Sequence, residues 1–343
     1  MGAPFQAEEA KVVRWYTFLM HTTVVGVLRG GASQEHEVSL KSGHSILSSL
    51  PSERFTVRDI YIDRSGTWHD RGLPSTPGRM LPSIDVAIVV VHGASGQDGE
   101  LQKVLEQFGV PYTGPDPFHA FHASHKVLAK ERAKQAGVRV PRYLFAQSPD
   151  EADIIAREAV RLFHQPVVVK PVDSGSSVGV SMVGGFQQVR DAVTELFESG
   201  ARGVMVEERI KGTEATVGVV EGLRGEALYA LPPVEIVPPD GHDFFSHDAK
   251  YSGESQEIVP GRFPRKVADE LMRLARTVHE ALGQRHYSRS DFIVSDKGIY
   301  FLELNTAAAV GMTEESLMPK SLASVGVQLP EFAAHLVDLA LRK

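Results

Sequence analysis

Cysteine is absent from the 343-residue chain. The absence rules out thiol nucleophiles, disulfides and thiolate metal sites, and it fits a reducing compartment. No apolar run reaches the roughly 18 residues of a membrane span, and the charged residues before Met20 lack the order of a signal peptide, so we predict a cytoplasmic protein without membrane contact. Basic residues are not in excess, since the formal net charge is −7, and we expect no nucleic-acid partner.

The length exceeds that of a usual single hydrophobic core, so two or three domains are expected. The first third alternates strand-like apolar runs with helix-like segments, which predicts a parallel α/β domain. In such a domain, ligand-binding groups follow the carboxyl ends of the strands, a position taken by segments 29–37 and 92–99. The predicted strands are 23–28, 55–62 and 86–91, and the predicted helix is 38–50.

A Pro/Gly-rich stretch at 112–117 predicts a domain boundary near residue 116. A helix is predicted beyond it at 118–136, and Ser148 begins a capping box that predicts a second helix ending at Phe163. Further strands are predicted at 166–170, 179–183, 204–207, 215–220, 227–236, 292–294 and 299–302.

Acidic and amide side chains surround the last predicted strand pair. Alternation along a strand places Arg289 with Asp291, and Glu303 with Asn305, on common faces. Asp291, Glu303 and Asn305 are hard oxygen ligands suited to Mg²⁺ beside nucleotide phosphates, and Glu303 is placed to bridge two ions. A nucleotide-dependent transferase or ligase is therefore predicted, and a solvated hairpin with ordinary surface acids is the alternative.

Lys170 ends a predicted strand and is followed by a Gly/Ser-rich segment that reaches Gly179. Glycines let backbone amides approach a phosphate closely, hydroxyls add donors, and the lysine adds a charge. The segment therefore predicts a polyphosphate site, with a simple hairpin turn as the alternative. It is not a Walker loop, because the order of glycines and lysine differs.

Two loops of the first third carry further candidates. Gly30 to Glu37 contains Glu35, and the simplest interpretation is a turn in which Ser33 caps the helix. His92 opens the second loop, where a lone histidine is more often structural than catalytic. The position of both loops at strand ends favours a functional role.

Several motifs, in order between residues 24 and 330, resemble those of D-alanine:D-alanine ligases, members of the ATP-grasp superfamily. The resemblance implies an ATP-grasp fold of three α/β domains, with ATP between the central and C-terminal domains. The matching segments are Gly30 to Gly43, His92 to Gln102, Lys170 to Gly179, Lys250-Tyr251, Arg289 with Asp291, Glu303 to Thr306, and Gly311 to Leu317.

The resemblance also implies the domain limits. These are an N-terminal extension at 1–21, an N-terminal domain at 22–115, a central domain at 116–208, and a C-terminal domain at 209–343 with a lid loop at 237–255.

ATP and Mg²⁺ are the implied cofactors, with two magnesium ions and Mn²⁺ as a possible substitute. Asp291, Glu303 and Asn305 match the metal ligands. The residues that match ATP contacts are Lys126, Lys170, Ser177, Glu207, Glu208, Ile210 and Glu214.

The resemblance assigns the remaining site residues to D-alanine. Glu35 matches the acid that holds the ammonium of the first substrate, and Arg289 matches a group on its carboxylate and on the developing oxyanion. The other matched residues are His92 beside a phosphate, Ser176 and Tyr251 in a hydrogen-bonded triad with Glu35, the Gly311 amide at the oxyanion, and Lys250, Ser316 and Leu317 at the second substrate's carboxylate.

The implied activity is ATP-dependent formation of D-alanyl-D-alanine through an acyl phosphate, for peptidoglycan precursors, by a homodimer. Three positions depart from the family pattern, namely His125, Ser174 and the longer, proline-free turn at 306–311. Two alternatives therefore stay open. One is a ligase that joins other amino or hydroxy acids, such as D-serine or D-lactate, and the other is a nucleotide-binding regulator that has lost turnover.

Overall fold

The computed structural model describes residues 22–173, 175, 178–238 and 256–342. These residues form three β-sheets with helices packed on them. Segment 1–21 and most of the predicted lid at 237–255 lie outside the described residues. Within the described ranges, no helix is long and apolar enough to cross a membrane.

The first sheet has the strand order β4-β3-β2-β1-β5. β1 (Thr23–Gly30) pairs in parallel with β2 (Phe55–Ile62) and β5 (Val86–Val89), so the predicted parallel α/β arrangement is confirmed. The sequence does not predict the edge hairpin of β3 (Trp68–Asp70) and β4 (Leu73–Ser75), because three-residue strands are too short to show a period. The helices of this region are α1 (His36–Ser49), α2 (Pro77–Met80), α3 (Ala94–Gln97) and α4 (Glu100–Gln107).

The second sheet is antiparallel, with the order β6-β9-β7-β8. Two helices pack on it and close a core rich in alanine and valine. The strands are β6 (Tyr143–Ala146), β7 (Val167–Pro171), β8 (Ser181–Val183) and β9 (Val204–Glu208), and the helices are α7 (Ala152–Leu162) and α8 (Gly185–Glu198).

The third sheet has the order β13-β12-β10-β14-β15, with β11 paired to β10. Its strands are β10 (Thr213–Glu221), β11 (Leu228–Ala230), β12 (Val234–Val237), β13 (Gln256–Ile258), β14 (Tyr287–Ser295) and β15 (Gly298–Thr306). The remaining helices are α5 (Pro117–Ser124), α6 (Lys126–Gln135), α9 (Arg265–Ala281), α10 (Leu317–Ser324) and α11 (Leu329–Leu341). Short 3₁₀ turns occupy Leu81–Ser83, Pro149–Glu151, Leu223–Gly225 and Ala307–Ala309.

The predicted single helix at 118–136 is wrong, because α5 and α6 are separated at His125. His125 has an extended backbone with φ −86° and ψ 105°. The amide of Lys126 donates to the Val172 carbonyl at 2.8 Å instead of to its own helix. This long-range backbone hydrogen bond marks the start of α6, which carries Lys126 and the residues after it toward the third sheet.

Two other predictions need correction. The strand predicted at 227–236 is two strands, because Pro232 and Pro233 supply no backbone N–H for a ladder. The capping box at Ser148 is incomplete: the Ser148 side chain makes no cap hydrogen bond, and a 3₁₀ turn precedes α7. The acidic half of the box is also displaced, since the Glu151 carboxylate accepts from the amide of Gln147, the residue before Ser148, at 2.7 Å.

Two hydrophobic cores join distant parts of the chain. α11 packs on the first sheet, so Val27 and Ile88 share a core with Phe332 and Leu336. α5 and α6 pack on the third sheet, and their alanines share a core with the side chains of α9, β14 and β15. Val220 and Tyr287 of the third sheet belong to the same core as α11, so this core holds the first and third sheets together. The predicted domain limits stay predictions.

Phe332 tests the contribution of the α11 core. Its ring is fully buried and contacts Tyr287 edge to face at a centroid distance of 5.5 Å. We predict that Phe332→Ala lowers the free energy of unfolding by about 3–5 kcal/mol, because it leaves a cavity that cannot close. Leu341→Ala on the same helix is the control, since Leu341 is 39% exposed. Equal shifts of the thermal midpoint in the two variants would contradict this account of the core.

Candidate active site

A cavity of about 780 Å³ is lined by residues of the second and third sheets and by α1 and the loops that follow strands of the first sheet. Every predicted site residue that the structure describes lines it, whereas Ser176, Ser177, Lys250 and Tyr251 lie outside the described residues. The lining residues are Glu35, His92, Lys126, Lys170, Glu207, Glu208, Ile210, Glu214, Arg289, Asp291, Glu303, Asn305, Gly311, Ser316 and Leu317. Their individual roles stay predictions.

The register of β14 with β15 places the acidic residues on one face. Asp291 lies directly opposite Glu303, and Arg289 lies opposite Asn305, so the face predicted from alternation is confirmed. The ladder is irregular immediately after Asp291. The facing pairs bring two carboxylates, one guanidinium and one amide together at the cavity wall.

Asp291 is held by several donors. Arg289 donates from Nε to one carboxylate oxygen and from Nη2 to the other, both at 3.2 Å, and the Asn305 amide donates at 3.0 Å. The hydroxyl of Thr216 on β10 is a further donor. Burial works against the charge of Arg289, but Asp291 outweighs it and raises the pKa of Arg289. The sequence does not predict the contact of Thr216 with Asp291, because it depends on the pairing of β10 with β14, which are far apart in the chain.

The donor set suits magnesium that is shared with phosphate. Glu303 pairs with the Lys126 ammonium at 3.2 Å, so the carboxylates already face cations. Among the described residues, no group of three or more His, Cys, Asp or Glu side chains forms a metal cluster. If magnesium binds as predicted, Asp291, Glu303 and Asn305 would supply only part of its coordination shell, and phosphate or water oxygens would complete it, as is common for Mg²⁺.

A buried ionic triad lies next to these acids. The Glu207 carboxylate is 2.9 Å from Lys130 Nζ and 3.3 Å from Lys170 Nζ. Lys130 is fully buried on α6, one helical turn after Lys126, and it also donates to the Phe301 carbonyl at 3.4 Å. Burial lowers the pKa of Lys130 to about 8. The sequence does not single out Lys130, since a lysine among helix charges is typical of a solvated face.

The two loops of the first sheet meet at this cavity. The Ser33 hydroxyl donates to the His92 carbonyl at 2.7 Å and accepts from the Glu35 amide at 3.2 Å, so it joins the loops and is not the helix cap. A methyl group added at Gly93 or Gly175 would lie 3.1 or 3.0 Å from the Glu35 carboxylate. These glycines let Glu35 reach the segment predicted to bind phosphate.

The far end of the cavity is built around Gly311. A methyl group there would lie 2.6 Å from the Ser316 hydroxyl, so a larger residue would require the Ser316 side chain to move. The following amide, that of Met312, donates to the hydroxyl of Ser42 on α1 at 3.2 Å, which ties this turn to the first sheet. Other lining residues that the sequence does not single out include Ser42, Met182, Glu257 and Glu315.

The longer turn before Gly311 packs mostly away from the cavity. Ala307, Ala308 and Val310 are buried in the cores, and the Ala307 carbonyl accepts from the Tyr287 hydroxyl at 2.9 Å. Of these alanines only Ala309 lines the cavity. The additional residues therefore fill the junction between the first and third sheets.

Cations and acids along one cavity between two antiparallel sheets suit an enzyme that transfers a phosphoryl group between oxygens. The family model described as D-ala D-ala ligase C-terminus matches residues 133–338, and the model for the N-terminus matches residues 24–78. The chain is 37% identical to the D-alanine--D-alanine ligase of Syntrophobacter fumaroxidans over 320 residues, which is 92% of this chain and 97% of that protein.

Solved structures are also similar. The VanG D-Ala:D-Ser ligase from Enterococcus faecalis superposes with a TM-score of 0.82 at 26% identity, over 93% of this chain and 100% of that one. The D-alanyl-alanine synthetase A from Vibrio cholerae gives 0.80 at 27% identity, over 94% and 100%. The chain belongs to the D-alanine:D-alanine ligase family and has its ATP-grasp fold.

His92 allows a test of the site's electrostatics. Burial, helped by the charge of Arg289, lowers its pKa from 6.5 to about 4. As the pH falls from 6.5 toward 4, the unfolded chain takes up a proton that the folded chain does not, so this residue makes the fold less stable in acid. We predict that the His92 ring stays neutral at pH 5.5. NMR measures this, and the His92 signals are assigned by their absence from the spectrum of His92→Asn. A measured pKa of His92 near the ordinary value of 6.5 would contradict the burial of this side chain.

Proposed function

We propose that this chain uses ATP to join two D-alanines into D-alanyl-D-alanine, a precursor of peptidoglycan. The observation that carries the proposal is the convergence of the described family-motif residues on one cavity, from the second and third sheets and from the loops that follow strands of the first. Consumption of ATP fits a cytoplasmic enzyme, and a homodimer is the assembly that the resemblance implies.

The first step is attack of one D-alanine carboxylate on the γ-phosphorus of ATP. The γ-phosphoryl group moves to the carboxylate oxygen, ADP leaves, and an acyl phosphate forms. Negative charges approach one another in this step, so Arg289, Lys126 and Lys170 would stabilise it by neutralising charge at the cavity wall. Magnesium held by Asp291, Glu303 and Asn305, as two ions, would supply further neutralisation.

The second step is attack of the amine of the second D-alanine on the acyl carbonyl. The carbon–nitrogen bond forms, the bond from the acyl carbon to the phosphate oxygen breaks, inorganic phosphate leaves, and the proton released by the amine passes to the departing phosphate or to water. Glu35 would hold the ammonium of the first D-alanine, with His92 beside the phosphate. The Gly311 amide and Arg289 would stabilise the oxyanion, and Ser316 and Leu317 would hold the acceptor carboxylate.

The nucleotide would extend along the remaining wall. Lys126 pairs with Glu303 of the third sheet, Lys170 pairs with Glu207 of the second, and residues 207–210 span the carboxyl end of β9. We assign 207–210 to the adenine and Glu214 to the ribose. Apolar Met182 and Leu302 also line the cavity and suit an aromatic base.

The turn at 306–311 bears on the choice of acceptor. Since Ala307, Ala308 and Val310 fill cores, the longer turn adds only Ala309 to the cavity wall. The longer turn therefore gives no reason to expect an acceptor larger than D-alanine. D-serine and D-lactate ligation are the alternatives that the following experiment separates.

Product analysis tests the function. With ATP, Mg²⁺ and equimolar D-alanine, D-serine and D-lactate, we expect mainly D-alanyl-D-alanine, with one ADP and one phosphate for each dipeptide. Mass spectrometry of the products and an ADP assay give these quantities. Predominance of D-alanyl-D-lactate would refute the peptide-ligase assignment, and ATP binding without any product would favour the regulatory alternative.

The metal assignment has its own test in Glu303→Gln. Removal of this carboxylate charge leaves phosphate charge uncompensated in the transition state, so kcat should fall by roughly 100-fold or more. Glu315→Gln is the matched control, because the Glu315 side chain is 90% exposed at the cavity rim and should leave kcat within about threefold. Thermal midpoints verify folding. Turnover close to wild type in folded Glu303→Gln would exclude Glu303 from the metal site.

A further inference from the structure

Lys130 is a buried charge that the reaction described above does not use. Its side chain is fully buried, and Lys130 is not among the residues that line the cavity. Lys170 and Glu207, which it adjoins, do line the cavity. A buried ammonium costs folding free energy unless it is paired, so its place behind the cavity wall needs a physical reason.

The charges of the buried triad do not cancel. Glu207 carries one negative charge and lies between Lys130 at 2.9 Å and Lys170 at 3.3 Å. All three side chains are at least nine-tenths buried, so solvent screens them poorly. With both lysines protonated the triad has one net positive charge, and only Lys170 presents it to the cavity.

Without Lys130, the same carboxylate would face Lys170 alone. Glu207 and Lys170 would then form a neutral buried pair, with the Lys170 ammonium drawn toward the carboxylate. A neutral pair attracts a polyphosphate far less than a net cation does. We propose that Lys130 is a positioning residue that neutralises Glu207 and so leaves the charge of Lys170 available to the phosphates of a bound nucleotide.

The inference rests on the proposed assignment of this cavity to ATP and adds a residue to it. Lys130 is placed for this role by two contacts, the ion pair with Glu207 and the hydrogen bond to the Phe301 carbonyl. The second contact anchors its ammonium to β15, the strand that carries Glu303. Lys126, one turn earlier on α6, pairs with Glu303 itself, so one helix serves both acids.

A charge cycle distinguishes this role from simple packing. The affinity for Mg-ATP is measured by calorimetry, without D-alanine, for wild type, Lys130→Met, Glu207→Gln and the double variant. We expect Lys130→Met to bind Mg-ATP at least roughly tenfold more weakly than wild type. The double variant should bind within about threefold of Glu207→Gln, because without the carboxylate Lys170 no longer depends on Lys130 to be available to phosphate.

Two controls keep the outcome decisive. Lys134→Met on the same helix should change nothing, since Lys134 is 66% exposed. If Lys130→Met does not fold, the comparison of Glu207→Gln with the double variant replaces it. With Glu207 already neutral, loss of Lys130 should alter the affinity by less than about threefold.

The inference is overturned if Lys130→Met binds Mg-ATP as wild type does. A loss of tenfold or more between Glu207→Gln and the double variant also overturns it, because Lys130 would then act without Glu207. If the wild-type chain does not bind Mg-ATP, the proposed function itself is refuted, and this inference is refuted with it.

Discussion

The pairing of β14 with β15 is the constraint on which the site depends. Side chains alternate along a strand, so a shift of one residue would move Glu303 and Asn305 to the opposite face. The observed register sets Asp291 against Glu303, and the hydrogen bonds from Arg289 and Asn305 fix the orientation of Asp291. The buried aromatic pair Phe292 and Phe301 holds the same two strands from the core side.

The rest of the fold brings lysine ammonium groups to Glu303 and to Glu207 of the neighbouring sheet. α6 supplies Lys126 to Glu303 and Lys130 to Glu207, and β7 supplies Lys170 from the second sheet. The first sheet is fixed to the third by the core around α11 and by the Ser42 contact with the turn after Gly311. Glu35 and the end of the cavity around Gly311 and Ser316 therefore keep a defined separation, as a reaction between two small substrates requires.

Much of this arrangement can be predicted from sequence, because local rules govern it. Alternation predicts the common faces of Arg289, Asp291, Glu303 and Asn305, and periodicity predicts most strands. The remaining features depend on contacts between distant residues. The break at His125 follows from a bond between Lys126 and Val172, and the donor role of Thr216 follows from the pairing of β10 with β14. Lys130 is similar: only tertiary packing distinguishes a buried lysine from one on a solvated helix face.

A crystal structure with a non-hydrolysable ATP analogue, Mg²⁺ and D-alanine would test the central claim most directly, namely that these charges form one site for phosphoryl transfer to a carboxylate. The account predicts magnesium on Asp291, Glu303 and Asn305, phosphate oxygens against Lys126 and Lys170, and the D-alanine carboxylate beside Arg289. A nucleotide bound elsewhere, or metal bound without these three residues, would contradict it.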